Sequence, residues 1–226
     1  MNMPAGYKMD KSPGFYAKNR PRRRHGKHPV KGIKNVKRFE ILKKAGKTAV
    51  LLVAPETGRL PEDMGSLARY ISGKSGGLGE VVSALSEGLR ARGIKCHLAT
   101  LNLKKRFQEE SGMDEHAWRQ IRYKVDPDKI HLVSSSIYAN LPSAYAGNPL
   151  ANAAEFQKEL VNNTIKTVRA RSGGMLIVHS HDWMAGGVVT AYAKSRDCPV
   201  LHTVHNVHTG HIPLDMLFGV DIDGLT

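Results

Sequence analysis

"GKSGGLGEVVSALSEGLRARGIKCHLATL" (Gly73 to Leu101) places a glycine-rich turn, an amphipathic helix and a strand in succession. Its reading decides the fold. Four glycines, Lys74 and Ser75 stand among the seven residues from Gly73 to Gly79. In the helix that follows, Val81, Val82, Leu85 and Leu89 are expected on one side at helical spacing, with Glu80 in the first turn, Arg90 and Arg92 in the last, and Gly93 as the stop. "IKCHLATL" (Ile94 to Leu101) reads as a strand. Upstream, "TAVLLVA" (Thr48 to Ala54) is a continuous apolar run, the pattern of a strand buried on both faces. A loop through Pro55 and Pro61 joins the two.

Downstream the alternation continues. A polar helical stretch is expected between about Lys104 and Tyr123, and a strand in "KIHLVSSSIYA" (Lys129 to Ala139). A long helix follows in "NAAEFQKELVNNTIKTVRAR" (Asn152 to Arg171), with Phe156, Leu160, Ile165 and Val168 inward. "GMLIVHSH" (Gly174 to His181) reads as a strand, "WMAGGVVTAYAKSR" (Trp183 to Arg196) as a helix and "CPVLHTVHN" (Cys198 to Asn206) as a further strand. Strands separated by helices require crossover connections, so the fold class is α/β: a largely parallel sheet with helices on both faces. Ligands of such sheets collect beyond the carboxyl ends of the strands.

The formal charge of +14 suggests a nucleic-acid binder until it is divided along the chain. Residues 1–47 hold 15 Lys/Arg against Asp10 and Glu40, whereas the remainder holds 19 against 18 acids. The basicity belongs to a tail. Residues 1–47 lack apolar periodicity and are broken by Pro4, Pro13, Pro21 and Pro29, so a disordered tail is expected, either a solvated extension or a contact for an anionic partner. Cys96 and Cys198 stand far apart without CxxC spacing, so neither a disulfide framework nor a cysteine zinc site is implied, and a reducing cytoplasm fits. No apolar run approaches the roughly 20 residues of a membrane span.

Three loops at the carboxyl edge carry candidate chemistry. In the glycine turn, free amides at a helix amino terminus, glycines that admit close approach and the charge of Lys74 together describe a phosphate cradle. The turn fits neither GxxxxGK[ST] nor GxGxxG spacing, so a structural glycine turn stays open beside an anion site. In "VHSHDW" (Val178 to Trp183), His181 lies nearer the loop than His179 and is better placed to reach a crevice, and Asp182 is able to cap the next helix. "LHTVHNVHTGH" places His202, His205, His208 and His211 at steps of three, which invites a metal reading. A strand there would send successive members of that series to opposite faces, which argues against it.

Taken in order, "KSGGLGEVVSALSEGLRARG", "VHSHDW" and "TVHNVHTGHIP" resemble the amino-terminal motifs of the glycogen/starch synthases, retaining glucosyltransferases of the two-domain GT-B architecture. The resemblance covers approximately Thr48 to Thr226. It implies a Rossmann-like domain over 48–226, one half of a GT-B fold, with the second, donor-binding domain absent. It also implies transfer of glucose from ADP-glucose to the nonreducing end of an α-1,4-glucan, without an obligatory metal or other cofactor. By analogy, Lys74 would neutralise the diphosphate, the amides of Gly76 and Gly77 would contact the phosphates or the glucosyl unit, and His181 would hold the transferred glucose. Asp182 and Trp183 would fix their loop, and His205 with Asn206 would shape the neighbouring wall.

Glu80 stands where the family more often has aspartate, lengthening a carboxylate near the acceptor side. The loop Pro55 to Ser72 is longer than in compact bacterial members. With one cleft wall, the chain is expected to show very low transferase activity by itself. A noncatalytic glucan- or partner-binding module is the alternative.

Overall fold

The computed structural model describes residues 48–60, 62–65, 68–120, 129–206 and 210–217; the basic stretch 1–47, and with it the expected tail, lies outside the described residues. Strand β1 (Thr48–Val53) is the apolar run read above, and it lies at the centre of a five-stranded, all-parallel sheet. The order is β3-β2-β1-β4-β5, with β2 at Lys95–Leu101, β3 at Ile130–Val133, β4 at Met175–His181 and β5 at Val200–Thr203. Leu51 pairs with His97 on one side and Val178 on the other. Every β1 residue from Ala49 to Val53 is buried, as a strand covered on both faces must be. Among the described residues, no helix is long and apolar enough to cross a membrane.

The chain runs outward through β1, β2 and β3, then returns to the other side of β1 with β4 and β5. The order therefore reverses between β1 and β4. In an open parallel sheet this is where neighbouring loops diverge and leave a crevice beyond the carboxyl ends. The loops after Val53 and after His181 flank it.

Helix α1 (Gly77–Ala91) follows the glycine turn and packs Val82, Leu85 and Leu89 on the core as expected, but Val81 faces out and two serines face in. Val81 is 47% exposed, while Leu78, Val82, Ser83 and Ser86 are buried. The serines face inward because the loop after β1 packs there: Thr57 Oγ1 and Ser83 Oγ lie 3.1 Å apart, and Ser86 Oγ contacts Met64 Sδ. That loop is a core element, with Leu60, Met64, Ala68 and Ile71 buried.

The polar stretch after β2 forms two short helices, α2 (Lys104–Ser111) and α3 (Glu115–Arg119), joined through Phe107 packing on Trp118; its expected end near Tyr123 lies outside the described residues. β3 stops at Val133, short of Ala139. Ser135 ends it by turning back on the local backbone: its hydroxyl accepts from the Ile137 amide and its carbonyl from the Ala139 amide.

The long helix is real but interrupted. Helix α4 (Pro149–Glu159), capped by the Asn148 side chain, runs through a π turn at Leu160–Thr164 into α5 (Ile165–Ser172), where the Ile165 amide donates to the Leu160 carbonyl. The inward residues Phe156, Leu160, Ile165 and Val168 are fully buried. A regular helix does not bring residues five apart to one face; the π turn absorbs the additional residue between Leu160 and Ile165.

The single helix expected over Trp183 to Arg196 is instead a 3₁₀ turn at Trp183–Ala185, a break at Gly186 and Gly187, and α6 (Val188–Ser195). Buried Gln157 fills the break, donating to the Met184 carbonyl and accepting from the Val188 amide. Among the described residues β5 is the edge strand beside β4; Leu201 on it is 53% exposed and Val204, just past its end, 59%.

Deleting the exposed Asn163 should convert the π turn to α-helix while keeping Ile165 and Val168 inward, at a cost of about 1 kcal/mol or less. Deleting exposed Thr167 should turn Val168 out of the core and cost about 2 kcal/mol or more. Thermal or urea unfolding of the two deletions measures the contrast.

Candidate functional site

Three residues past β1, the Glu56 carboxylate is 1% exposed and faces the amino terminus of α1. It accepts from the Ser75 amide at 2.5 Å and from the Gly79 amide at 3.2 Å. Helix amino termini carry free donors and a positive dipole end, so an acid settles there without a cation. The sequence reading missed Glu56. Its signal was a lone carboxylate in an apolar loop leaving the central strand.

The four glycines serve different purposes. A side chain on Gly79 would meet the backbone of Thr57 and Gly58 at 3.0 Å, whereas one on Gly73 would only touch Leu103 at 3.4 Å. What approaches those two positions is the protein itself. Gly77 faces open space, and Gly76 has only a Glu56 oxygen within 4 Å. The amides of Gly76 and Gly77 have no acceptor among the described residues. Beside them Lys74 Nζ pairs with Glu80 Oε1 at 2.6 Å, both side chains being well exposed. An exposed pair contributes about 0–1 kcal/mol, so the ammonium is easily drawn to another anion.

On β4 and just past β5 the imidazoles form a column. His179 stacks on His181 with ring centroids 4.2 Å apart, and His181 on His205 at 5.2 Å. His181 Nδ1 and His205 Nε2 are 2.9 Å apart and share one proton, and His179 Nε2 meets Thr203 Oγ1. His202 bonds Ser180 instead; Ser180 and His181 are successive strand residues, so His202 and His205 lie on opposite faces of the sheet. His208 lies outside the described residues.

Burial, then His179, His205 and His202, holds the His181 pKa down at about 3, and burial lowers that of His179. His181 is therefore a neutral imidazole near pH 7, and its buried Nε2 has no partner among the described residues. Such a group binds hydroxyls without adding charge.

Asp182 does not cap the helix. Its φ of 62° lies where side chains other than glycine are strained, and its carboxylate accepts from Asn206 Nδ2 at 2.7 Å. The following 3₁₀ turn receives no side-chain cap. Trp183 packs so closely on Gly210 that a β-carbon there would sit 2.7 Å from the ring.

One further residue relates the two clusters. Burial, then the charge of Glu56, then that of Asp182, pushes the Tyr145 phenol pKa up. The phenol thus feels one carboxylate from each side of the switch point. It belongs to the loop between β3 and α4, which leaves the same sheet edge. The structure pairs Lys74 with Glu80, His181 with His205 and Asp182 with Asn206, and sets Gly76 and Gly77 apart as the open positions of their turn.

The arrangement offers, on one side of the switch point, amides without acceptors among the described residues beside an exposed ion pair, and on the other an uncharged His181 imidazole. Among known proteins, the family model described as starch synthase catalytic domain matches residues 50–223. None of the curated proteins and none of the solved structures compared with the chain matches it significantly.

Gly79→Ala should destabilise the fold by about 1–3 kcal/mol, since backbone must move, whereas Gly77→Ala should leave it unchanged or up to about 1 kcal/mol more stable. Melting temperatures of the two variants decide. Because the folded pKa of His181 is depressed, its contribution is present above the unfolded value of about 6.5 and is lost as pH falls toward 3. A His181→Asn variant should show a shallower acid limb in a plot of melting temperature against pH.

Proposed function

Because the chain belongs to the starch synthase catalytic domain family of glycosyltransferases, we propose that this crevice binds ADP-glucose and serves glucose transfer, with retention, to the nonreducing end of an α-1,4-glucan. The observation that carries the reading is the division of the glycine turn. Glu56 occupies the amides of Ser75 and Gly79, while those of Gly76 and Gly77 stay open beside Lys74. A diphosphate takes the open pair.

Loss of the nucleoside diphosphate from the anomeric carbon builds charge on its terminal phosphate. Fixed amides and the Lys74 ammonium, once it leaves Glu80, stabilise that charge more than the ground state. His181 bonds glucosyl hydroxyls through its unpartnered Nε2, as a neutral group held in orientation by His205. The Asp182–Asn206 bond and Trp183 fix the loop that presents it. Glu80, released from Lys74, faces the acceptor side.

We read 48–226 as the amino-terminal Rossmann-like unit of a GT-B enzyme, the side of the cleft that takes the diphosphate and glucosyl end of the donor, and donor binding is the readout that tests this. Titrating ADP-glucose into the chain by calorimetry should give saturable binding that Lys74→Ala weakens about tenfold or more. Maltooligosaccharide binding without donor, indifferent to Lys74→Ala, would instead favour a noncatalytic glucan-binding module.

A further inference from the structure

Arg106 lies on α2, outside every motif that the sequence singled out, and its side chain is 21% exposed. Its guanidinium contacts three segments. Nη2 donates to the Lys74 carbonyl at 3.0 Å, Nη1 to the Pro142 carbonyl at 3.0 Å, and Nε to Glu110 Oε1 at 2.8 Å. Glu110, one helical turn on, aims the fork from the same helix.

The Lys74 carbonyl and the Ser75 amide are the two polar ends of one peptide group. Arg106 holds the oxygen and Glu56 holds the N–H. A cation at the negative end and an anion at the positive end fix that peptide plane in both directions. Its plane sets where the Lys74 side chain departs and where the following amides, Gly76 and Gly77, point. The second carbonyl, that of Pro142, lies three residues before Tyr145, whose phenol feels Glu56 and Asp182. The α2 backbone is tied to the same loop, the Lys105 amide donating to the Ala139 carbonyl, and Phe107 anchors α2 in the core.

We infer that Arg106 is a positioning residue of the donor site: it orients the Lys74–Ser75 peptide and couples the glycine turn to the Tyr145 loop without touching substrate. This rests on the reading of Lys74, Gly76 and Gly77 as the diphosphate seat. Arginine is required because its planar fork spans two carbonyls and a carboxylate at once, which an ammonium on a flexible stem cannot do.

The test is Arg106→Lys in the full 226-residue chain, with Arg106→Ala and Glu110→Gln beside it. It has three readouts: ADP-glucose affinity by calorimetry, melting temperature, and amide hydrogen exchange of peptides covering 73–79 and 138–146. Arg106→Lys keeps the charge, so long-range attraction of the donor is unchanged. The expected result is affinity weakened about tenfold, a melting temperature within about 2 °C of the parent, and faster exchange in both peptides together. Should Arg106→Ala fail to fold, Arg106→Lys still decides. Parental affinity in Arg106→Lys, or faster exchange in one peptide without the other, overturns the inference. If the parent chain does not bind ADP-glucose, the functional reading fails by itself. Exchange then judges Arg106 alone: joint acceleration upholds the coupling and unchanged exchange refutes it.

Discussion

The Glu56 carboxylate is removed from water at the end of the central strand and has two backbone amides of the glycine turn as its partners. An isolated carboxylate in such a place carries a heavy desolvation cost, which donors from a helix amino terminus offset. The bond ties the loop after β1 to the start of α1 and so determines which amides remain open. Gly79 is glycine because the loop crosses the helix there. The amides of Gly76 and Gly77, between the two that Glu56 holds, have no acceptor among the described residues.

Across the switch point the construction is different. The imidazole column of His179, His181 and His205 contains no carboxylate, and burial keeps His181 uncharged near pH 7. Asp182, held at positive φ, turns its own carboxylate toward Asn206. Strain of about 1–3 kcal/mol at such a residue persists only where the surroundings over-determine it. Here the Asp182 amide bonds the Thr203 carbonyl, and the side chain bonds Asn206. The two sides of the switch point thus differ in kind, backbone amides with a buried carboxylate on one and stacked imidazoles on the other.

Strand and helix order, the parallel sheet and the edge on which the motif loops gather were legible because apolar runs and helical spacing are local signals. What escaped depends on contacts distant in sequence. Ser83 and Ser86 face inward because Thr57, Met64 and Cys96 meet them, a fact that apolar periodicity cannot register when it favours Val81. Asp182 looked like a cap because aspartate before a helix usually is one; its backbone conformation is invisible in composition. Tyr145 belongs to a loop without a motif, and only the fold sets its phenol in the field of Glu56 and Asp182. The glycine quartet was recognised as a place of close approach. That the visitor at Gly79 is the protein's own backbone required the structure.

The sheet's outer margin at β5 has a colloidal consequence. Among the described residues β5 pairs on one side only, with β4, and Leu201 on it and Val204 just past it are exposed, so another extended segment can add there. Pro199, lacking an N–H, and the charged Lys194, Arg196 and Asp197 just before it act as gatekeepers at one end. The described residues place no comparable charge within β5 itself. Dispersal of concentrated chains therefore depends on the residues that precede the strand, not on any within it.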